Sequence, residues 1–451
     1  MKLYNKLLLF FLLMPFALSA QKPFLDKYER IYSLSEIWKE LDYNFAFPDK
    51  SKEANLDSLY QAYLPKVENA EDAYTYYRVL SSFMAAMNEA HTRILPPEDL
   101  PYDMPSVITS NIGKHVFVKN VDVRLQDVLP LYSEVICVNR IPVVKFLKDS
   151  VYQYTGASTS HWKFDKAVTE MLYGRPDSKV SLTIKTRDGK VREVELVRDY
   201  LKKKDTVVMA DSVVSAPLSI EYLDGGIGYI HLSTCVGTSL KEIQRMFYRH
   251  LEKLINCKGL IIDVRDNRGG TDQAWYLLAY CSMPGETFGN KGKWITRKHV
   301  ASYKMHGQSD ESLRKYYEGK AMEEIVYSKY KNGVPDSLKL KQPMVILSGQ
   351  YTGSAAEDFV QLMKENKRAV IVGAPTVGCM GEPTFIDLPG GYIAMISVKA
   401  YIAEDGSQPN DTGILPDVMV EQTYADFLNG KDTQLEEAVR ILKDKNHANQ
   451  E

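Results

Sequence analysis

Two apolar runs that end in small residues constrain the fold more than any other feature. Ile261-Ile262-Asp263-Val264 leads into Asp266-Asn267-Arg268-Gly269-Gly270, and Met344 to Leu347 leads into Gly353-Ser354-Ala355-Ala356-Glu357. A short apolar run closed by glycine and followed by an amphipathic segment reads as a buried strand turning into a helix. The same texture holds throughout the chain after Asp211. Asp224-Gly225-Gly226 is a turn, Ile227 to Leu232 a strand, Leu240 to Leu254 a helix and Gly259 to Val264 a strand. A helix near Gln273 to Tyr280, a helical stretch from Ser309 to Tyr330 and a strand from Ala369 to Val372 continue the alternation. Strand, helix, strand in succession predicts an α/β domain, a mixed sheet with parallel neighbours and crossover helices. Sites in such sheets form where strands end and helices begin, and both small-residue junctions are such places.

At 451 residues the chain exceeds one ordinary core, so further domains are expected upstream. In residues 1–20, Lys2 and Lys6 precede the apolar run Leu7 to Leu18 and the small residues Ser19 and Ala20. This is the pattern of a cleaved secretory signal peptide, too short in its apolar part to span a bilayer. It predicts a periplasmic or secreted protein with no transmembrane segment after cleavage. Residues 21–100 read as an N-terminal helical domain, with Leu34, Ile37, Trp38 and Leu41, then Tyr74, Tyr77, Leu80, Met84 and Met87 at helical spacing. Residues 101–205 form a β-rich module: strands at 116–118, 135–138, 180–184 and 191–197 enclose a helix at 144–151, and Arg198 to Asp205 reads as a linker. The α/β domain takes residues 206–451.

A net charge of −2 gives no electrostatic case for nucleic acid or an anionic membrane as partner. Five cysteines without CxxC or CxxH spacing argue against a zinc or redox motif. Oligomeric state is not legible.

Ser354 has two readings. With Glu357 three residues on, it forms a capping box, the hydroxyl taking a backbone N–H and the glutamate reaching back. At a strand-to-helix turn it is also placed as a nucleophile, where the helix dipole favours developing negative charge. Gly269 and Gly270 are a tight turn or one wall of an oxyanion hole, an N–H from either pairing with that of Ala355. The GK[ST] ending of a phosphate loop is missing.

The order Asp266-Asn267-Arg268-Gly269-Gly270, Gly353-Ser354-Ala355-Ala356-Glu357, Val372-Gly373-Ala374-Pro375-Thr376-Val377-Gly378 and Thr412-Gly413-Ile414-Leu415-Pro416-Asp417 resembles the S41 serine peptidases, which include the tail-specific processing proteases and tricorn-like peptidases. The resemblance implies that the β-rich module is PDZ-like. Glu89-Ala90-His91-Thr92 is similar to the Asp-Gly-His-Thr that closes the family's N-terminal region. It also exposes departures. The tail-specific proteases carry a base lysine after Thr-x-Gly, whereas Thr376-Val377-Gly378 is followed here by Cys379. Tricorn-like members use a histidine, matched by His91, a neighbouring serine, replaced by Ala90, and a distant glutamate, replaced by Asn410 or Asp411.

The reading is an exported serine endopeptidase acting on polypeptides. Ser354 is the nucleophile, and His91, able to accept a proton near neutral pH, is the general base. Asp411 orients it, with Asn410 and Glu357 as competitors, and Gly269 or Gly270 with Ala355 holds the oxyanion. No metal or cofactor is called for. Cys379 as nucleophile is a further option. The rival reading is a decayed S41-like protein that binds peptides or apolar ligands without cutting, because fold alone does not fix function.

Overall fold

The computed structural model describes residues 24–211, 216–297, 322–325 and 329–448. The predicted signal peptide at 1–20 lies outside them. Among the described residues no helix is long and apolar enough to cross a membrane.

The expected α/β sheet is present. Its six strands run, edge to edge, Val418–Met419, Val370–Gly373, Met344–Ser348, Gly259–Asp263, Ile227–Leu232 and Leu218–Leu223. Neighbours are parallel except the last pair, which is antiparallel. Every residue of Gly259–Asp263 and Met344–Ser348 is buried, as strands covered by helices on both faces must be. On one face the helix Leu240–Ile255 inserts Ile243, Phe247, Leu251 and Leu254, and the helix Ala355–Glu365 adds Phe359, Val360, Leu362 and Met363. On the other, the helix Thr433–Ala448 packs Ala438 and Leu442 over Ile261, Val345 and Leu347.

Four helices, Lys27–Asn44, Pro48–Glu53, Leu56–Glu68 and Ala73–Ala85, make up the N-terminal region as the spacing predicts. They do not close their own core. Leu388, Tyr392, Ala394 and Ile396, from a hairpin far downstream, are buried with them. The strand Arg93–Leu95 pairs antiparallel with Ile393–Ser397, Arg93 opposite Met395 and Leu95 opposite Ile393. This pairing spans about three hundred residues of sequence and carries the chain just after His91 into the C-terminal half of the molecule.

The β-rich module is an antiparallel sheet in the order Val107–Ile112, His115–Val121, Glu134–Val138, Lys179–Lys185, Val191–Val197. A helix the periodicity did not disclose, Ser160–Glu170, packs against it. Its buried face includes Asp165 and Lys166.

Two expectations need correcting. The stretch Ser309 to Tyr330 is not helical where it is described: Met322–Ile325 is a strand paired with Lys293–Arg297, and Tyr330 begins a strand paired with Thr287–Phe288. Cross-strand partners override the helical propensity of its glutamates there, and the remainder lies outside the described residues. Arg198 to Asp205 is no free linker. Arg198 is buried with its Nε donating to Leu172 O at 2.7 Å and Nη1 to Lys179 O at 3.1 Å, and a short helix, Tyr200–Lys203, follows.

Candidate active site

Ser354 sits where the sheet strand Met344–Ser348 has turned and the helix Ala355–Glu365 begins. Its backbone is at φ 53°, ψ −126°, a region that side chains other than glycine rarely adopt. Such a residue costs about 1–3 kcal/mol and persists only where its surroundings over-determine it. The surroundings are visible. The Glu357 carboxylate accepts from Ser354 N–H at 3.0 Å, from Gly378 N–H at 2.7 Å, from Cys379 N–H at 2.8 Å and from Thr376 Oγ1. The capping-box pairing is therefore present, but it is part of a larger knot. Glu357 is wholly buried; burial pushes its carboxyl up, and the bonds from Thr376, Cys379 and Gly378 oppose that shift. With four donors already on it, Glu357 is not placed to orient a histidine.

Gly269 backs directly onto the serine. A Cβ there would lie 2.6 Å from Ser354 Cβ and from Gly353 O, and 3.0 Å from Ala355 N, at a φ of +92°. Its own N–H is committed to Asn267 Oδ1 at 2.9 Å. Gly270 is exposed, and among the described residues no hydrogen bond engages its N–H or that of Ala355. The turn thus packs against Ser354, and the N–H groups of Gly270 and Ala355 beside this contact are free of hydrogen bonds among the described residues.

Cys379 occupies the position where the resemblance leads one to look for lysine. Its Sγ accepts from Ser354 N–H at 3.1 Å and lies 3.3 Å from the point where a Gly353 Cβ would be. Burial, reinforced by the Glu357 charge, pushes the thiol well above its ordinary range. A thiol held protonated is neither a base nor a thiolate nucleophile, so the Cys379 option loses its chemical footing.

His91 is buried, 8% exposed, on the loop after the last N-terminal helix. Ala90 beside it packs in one small apolar cluster with Val377 and Cys379, which sets the His91 loop against the loop holding Ser354. Glu89 fastens the loop from behind: its Oε2 accepts from His91 N–H at 3.1 Å, Thr92 N–H at 2.8 Å, Thr92 Oγ1 at 2.7 Å and Ser397 Oγ at 2.8 Å. Burial lowers the His91 pKa, the Glu89 charge working against it and Arg93 and Lys166 with it. His91 Nδ1 is buried without a hydrogen-bond partner, and so are Glu89 Oε1 and both side-chain polar atoms of Asn410.

Asp411 does not face this interior. Its side chain is 57% exposed and pairs with Lys50 Nζ at 3.7 Å, while that lysine also donates to Asn88 O at 3.0 Å. Asn410, its neighbour, is wholly buried. Pro409 O lies 2.9 Å from the position a Gly378 Cβ would take, so this turn packs on the Thr376–Cys379 loop. The short helix Pro409–Thr412 buries Pro409 and Asn410 and leaves Asp411 and Thr412 exposed, so the amide is turned in and the carboxylate out.

The β-rich module closes another side. Thr159 Oγ1 donates to Val377 O at 3.1 Å, His161 Nε2 bonds Thr376 O at 2.7 Å, and Ser110 and Tyr351 share a hydrogen bond of 3.1 Å. Lys166 is buried with Nζ donating to Gly156 O at 3.0 Å, and burial lowers its pKa. Nothing in the sequence marked Lys166. The tethering role of Glu89 was legible in principle, since an acid two and three residues ahead of N–H groups commonly caps a loop. Among the described residues no cluster of three or more acidic, histidine or cysteine side chains could hold a metal ion.

A family profile described as Peptidase family S41 matches residues 226–420. A carboxyl-terminal-processing protease of Synechocystis sp. is 24% identical over 393 residues, covering 83% of this chain and 78% of that protein. A tricorn protease homolog of Saccharolobus solfataricus is 24% identical over 220 residues, 48% of this chain and 17% of that protein. The solved structure of mature CPAF complexed with lactacystin superposes with a TM-score of 0.70 at 14% identity, over 93% of this chain and 98% of that one, a likeness of fold.

The Gly269 wall gives a sharp test. Gly269→Ala forces a Cβ into Ser354 and an unfavourable φ, so peptide hydrolysis should fall by about 10²-fold or more. Steady-state kcat/KM on a peptide substrate, with circular dichroism to confirm folding, reads it; a folded variant of near-normal rate would remove this turn from the site.

Proposed function

Since the chain belongs to peptidase family S41 and is a serine-type peptidase, we propose that it cuts within polypeptides using Ser354 as nucleophile and His91 as general base. The observation that carries this reading is the strained backbone of Ser354 next to two uncommitted N–H groups. A serine that merely caps a helix has no need of that conformation. Ser354 Oγ attacks the scissile carbonyl as His91 takes its proton. The tetrahedral oxyanion is held by the N–H groups of Ala355 and Gly270, Gly269 N–H being engaged by Asn267. His91 then protonates the leaving amine, and water, deprotonated by the same imidazole, releases the acyl group from Ser354.

Asn410 is the group that orients His91 in this scheme, and Asp411 is a surface partner of Lys50. An amide oxygen can accept the Nδ1 proton and so fix the tautomer with Nε2 free for the serine. Burial of Asn410 and His91 Nδ1, both without partners, supports it. The β-rich module acts as a PDZ-like platform: an extended substrate adds to a strand edge beside the cleft. Export by a signal peptide cleaved after Ala20 or one residue earlier completes the reading. The rival, a non-cutting binder, is not favoured, because a decayed site has no reason to keep strain at Ser354.

Ser354→Ala should abolish both cleavage of an unfolded protein and labelling by a fluorophosphonate, and His91→Ala should lower kcat by several orders of magnitude. Only neutral imidazole accepts a proton, and burial depresses His91, so the acid limb of kcat/KM should lie below the ordinary 6.5 and be absent in His91→Ala. Retained labelling in Ser354→Ala would sink the assignment.

Asp411→Asn should alter kcat/KM by less than about twofold, as for a surface ion pair. Asn410→Ala should cost on the order of 10²-fold in kcat at little change in KM, with a shifted acid limb. The reverse ranking would return the role to Asp411. N-terminal sequencing of the protein from a cell-envelope fraction should begin at Gln21 or Ala20; an intact Met1 would refute export by cleavage.

A further inference from the structure

A cavity of about 450 Å³ lies behind the His91 loop, between the N-terminal helices and the helix Ser160–Glu170. Thr92 and Arg93 line it from the His91 side, and Arg268 lines it from the glycine turn that backs onto Ser354. Gly156, also in its wall, lies so close to the His91 loop that a Cβ there would be 3.2 Å from both Glu89 O and Thr92 O. The cavity is therefore separated from the serine site by little more than one loop.

Its charge is unbalanced. Arg78, Arg93, Lys166 and Arg268 line it against one carboxylate, Glu170. That carboxylate is 4.0 Å from Lys166 Nζ. Among the described residues none of the three guanidinium groups has a carboxylate partner. Arg78 lies 3.3 Å over the Tyr154 ring and donates to Tyr102 Oη at 3.2 Å; Arg268 lies 5.1 Å over the Tyr351 ring. Arg93 is exposed, and its guanidinium makes no hydrogen bond or ion pair among the described residues. Three cations whose charge is not answered by the protein, around a cavity with aromatic walls, are complementary to an anion.

We propose that this cavity is a subsite for a carboxylate of the substrate chain, held by Arg93 and Arg268 at its mouth with Lys166 behind. The inference rests on the peptidase reading and adds a selectivity to it. The occupant is part of the substrate because both mouth residues belong to segments that form the serine site: Arg93 follows His91 by two positions, and Arg268 adjoins Gly269. Guanidinium groups at the mouth suit a planar carboxylate, which they bind through paired N–H donors. The carboxylate is that of an Asp or Glu side chain at a fixed distance from the scissile bond.

The test uses the mature full-length protein and peptides that differ at single positions. One series places Glu or Gln at each position on either side of a fixed cleavage site; a second compares a free C-terminal acid with its amide. One carboxylate should raise kcat/KM at least about tenfold over its neutral isostere. That ratio should shrink toward one in Arg93→Gln and Arg268→Gln and in high salt, which screens exposed charge. Dependence on one Glu position supports the subsite, and dependence on the C-terminal acid alone overturns it. If no carboxylate raises the rate, or if the ratio survives both arginine substitutions, the proposal is overturned. Fluorophosphonate labelling of Ser354 in the same variants keeps that failure distinct from a failure of the peptidase reading.

Discussion

Four hydrogen bonds converge on the buried Glu357 carboxylate, and the geometry of the site depends on them. One comes from the Ser354 N–H and the others from Thr376, Gly378 and Cys379, on the loop after the neighbouring sheet strand Val370–Gly373. A buried polar group left without its partner costs about 1–3 kcal/mol, so this carboxylate ties the start of the nucleophile helix and the loop after Val370–Gly373 to one arrangement. Strain at Ser354 is held by the same bonds. The capping box that a local reading assigns to Ser354 and Glu357 is the nearest part of a longer-range tie, and the start of the helix and the placement of Ser354 are one feature.

A second buried carboxylate does the same for the His91 loop. Glu89 gathers His91 N–H, both donors of Thr92 and the Ser397 hydroxyl. Ser397 ends the strand that pairs with Arg93–Leu95, so the loop is fixed at the point where the N-terminal helices join the C-terminal hairpin. The helices share their core with Leu388, Tyr392 and Ile396. Histidine and serine, far apart in sequence, are carried on one packed body through this shared core, which suits a reaction that tolerates little misplacement of its groups.

Between the two carboxylates lies Cys379, a neutral and buried thiol in contact with the Ser354 N–H. A thiol held protonated there supplies no proton acceptor. Ala90, Val377 and Trp162 complete the apolar lining, which keeps His91 poorly hydrated and its pKa down. The cationic cavity is on the far side of the same loop, where Arg93 and Arg268 face solvent without acidic partners.

Some of this was legible before any fold was known. Continuous apolar runs such as Gly259–Asp263 and Met344–Ser348 can be satisfied only by a sheet covered on both faces, and small residues after them can only be turns; strand period and glycine conformational freedom are local properties. Ser354, His91 and the Gly269-Gly270 turn were therefore visible as a set. Asp411 is the choice that side-chain chemistry alone makes over Asn410, whereas their directions differ only once the short helix Pro409–Thr412 is packed on Gly378, with Asn410 buried and Asp411 exposed. The helix Ser160–Glu170 escaped notice because its buried face carries Asp165 and Lys166, whose burial depends on partners such as Asn111 and Gly156 that are distant or non-periodic in sequence. The choice of Gly270 over Gly269 rests on where one amide of Asn267 points. The sequence by itself determined the buried strands of the α/β sheet, the turns that follow them and the helices of the N-terminal region, because those follow from side-chain type and local period. The tertiary structure decided which of them face one another, because burial and hydrogen-bond partnership are set by contacts between segments hundreds of residues apart.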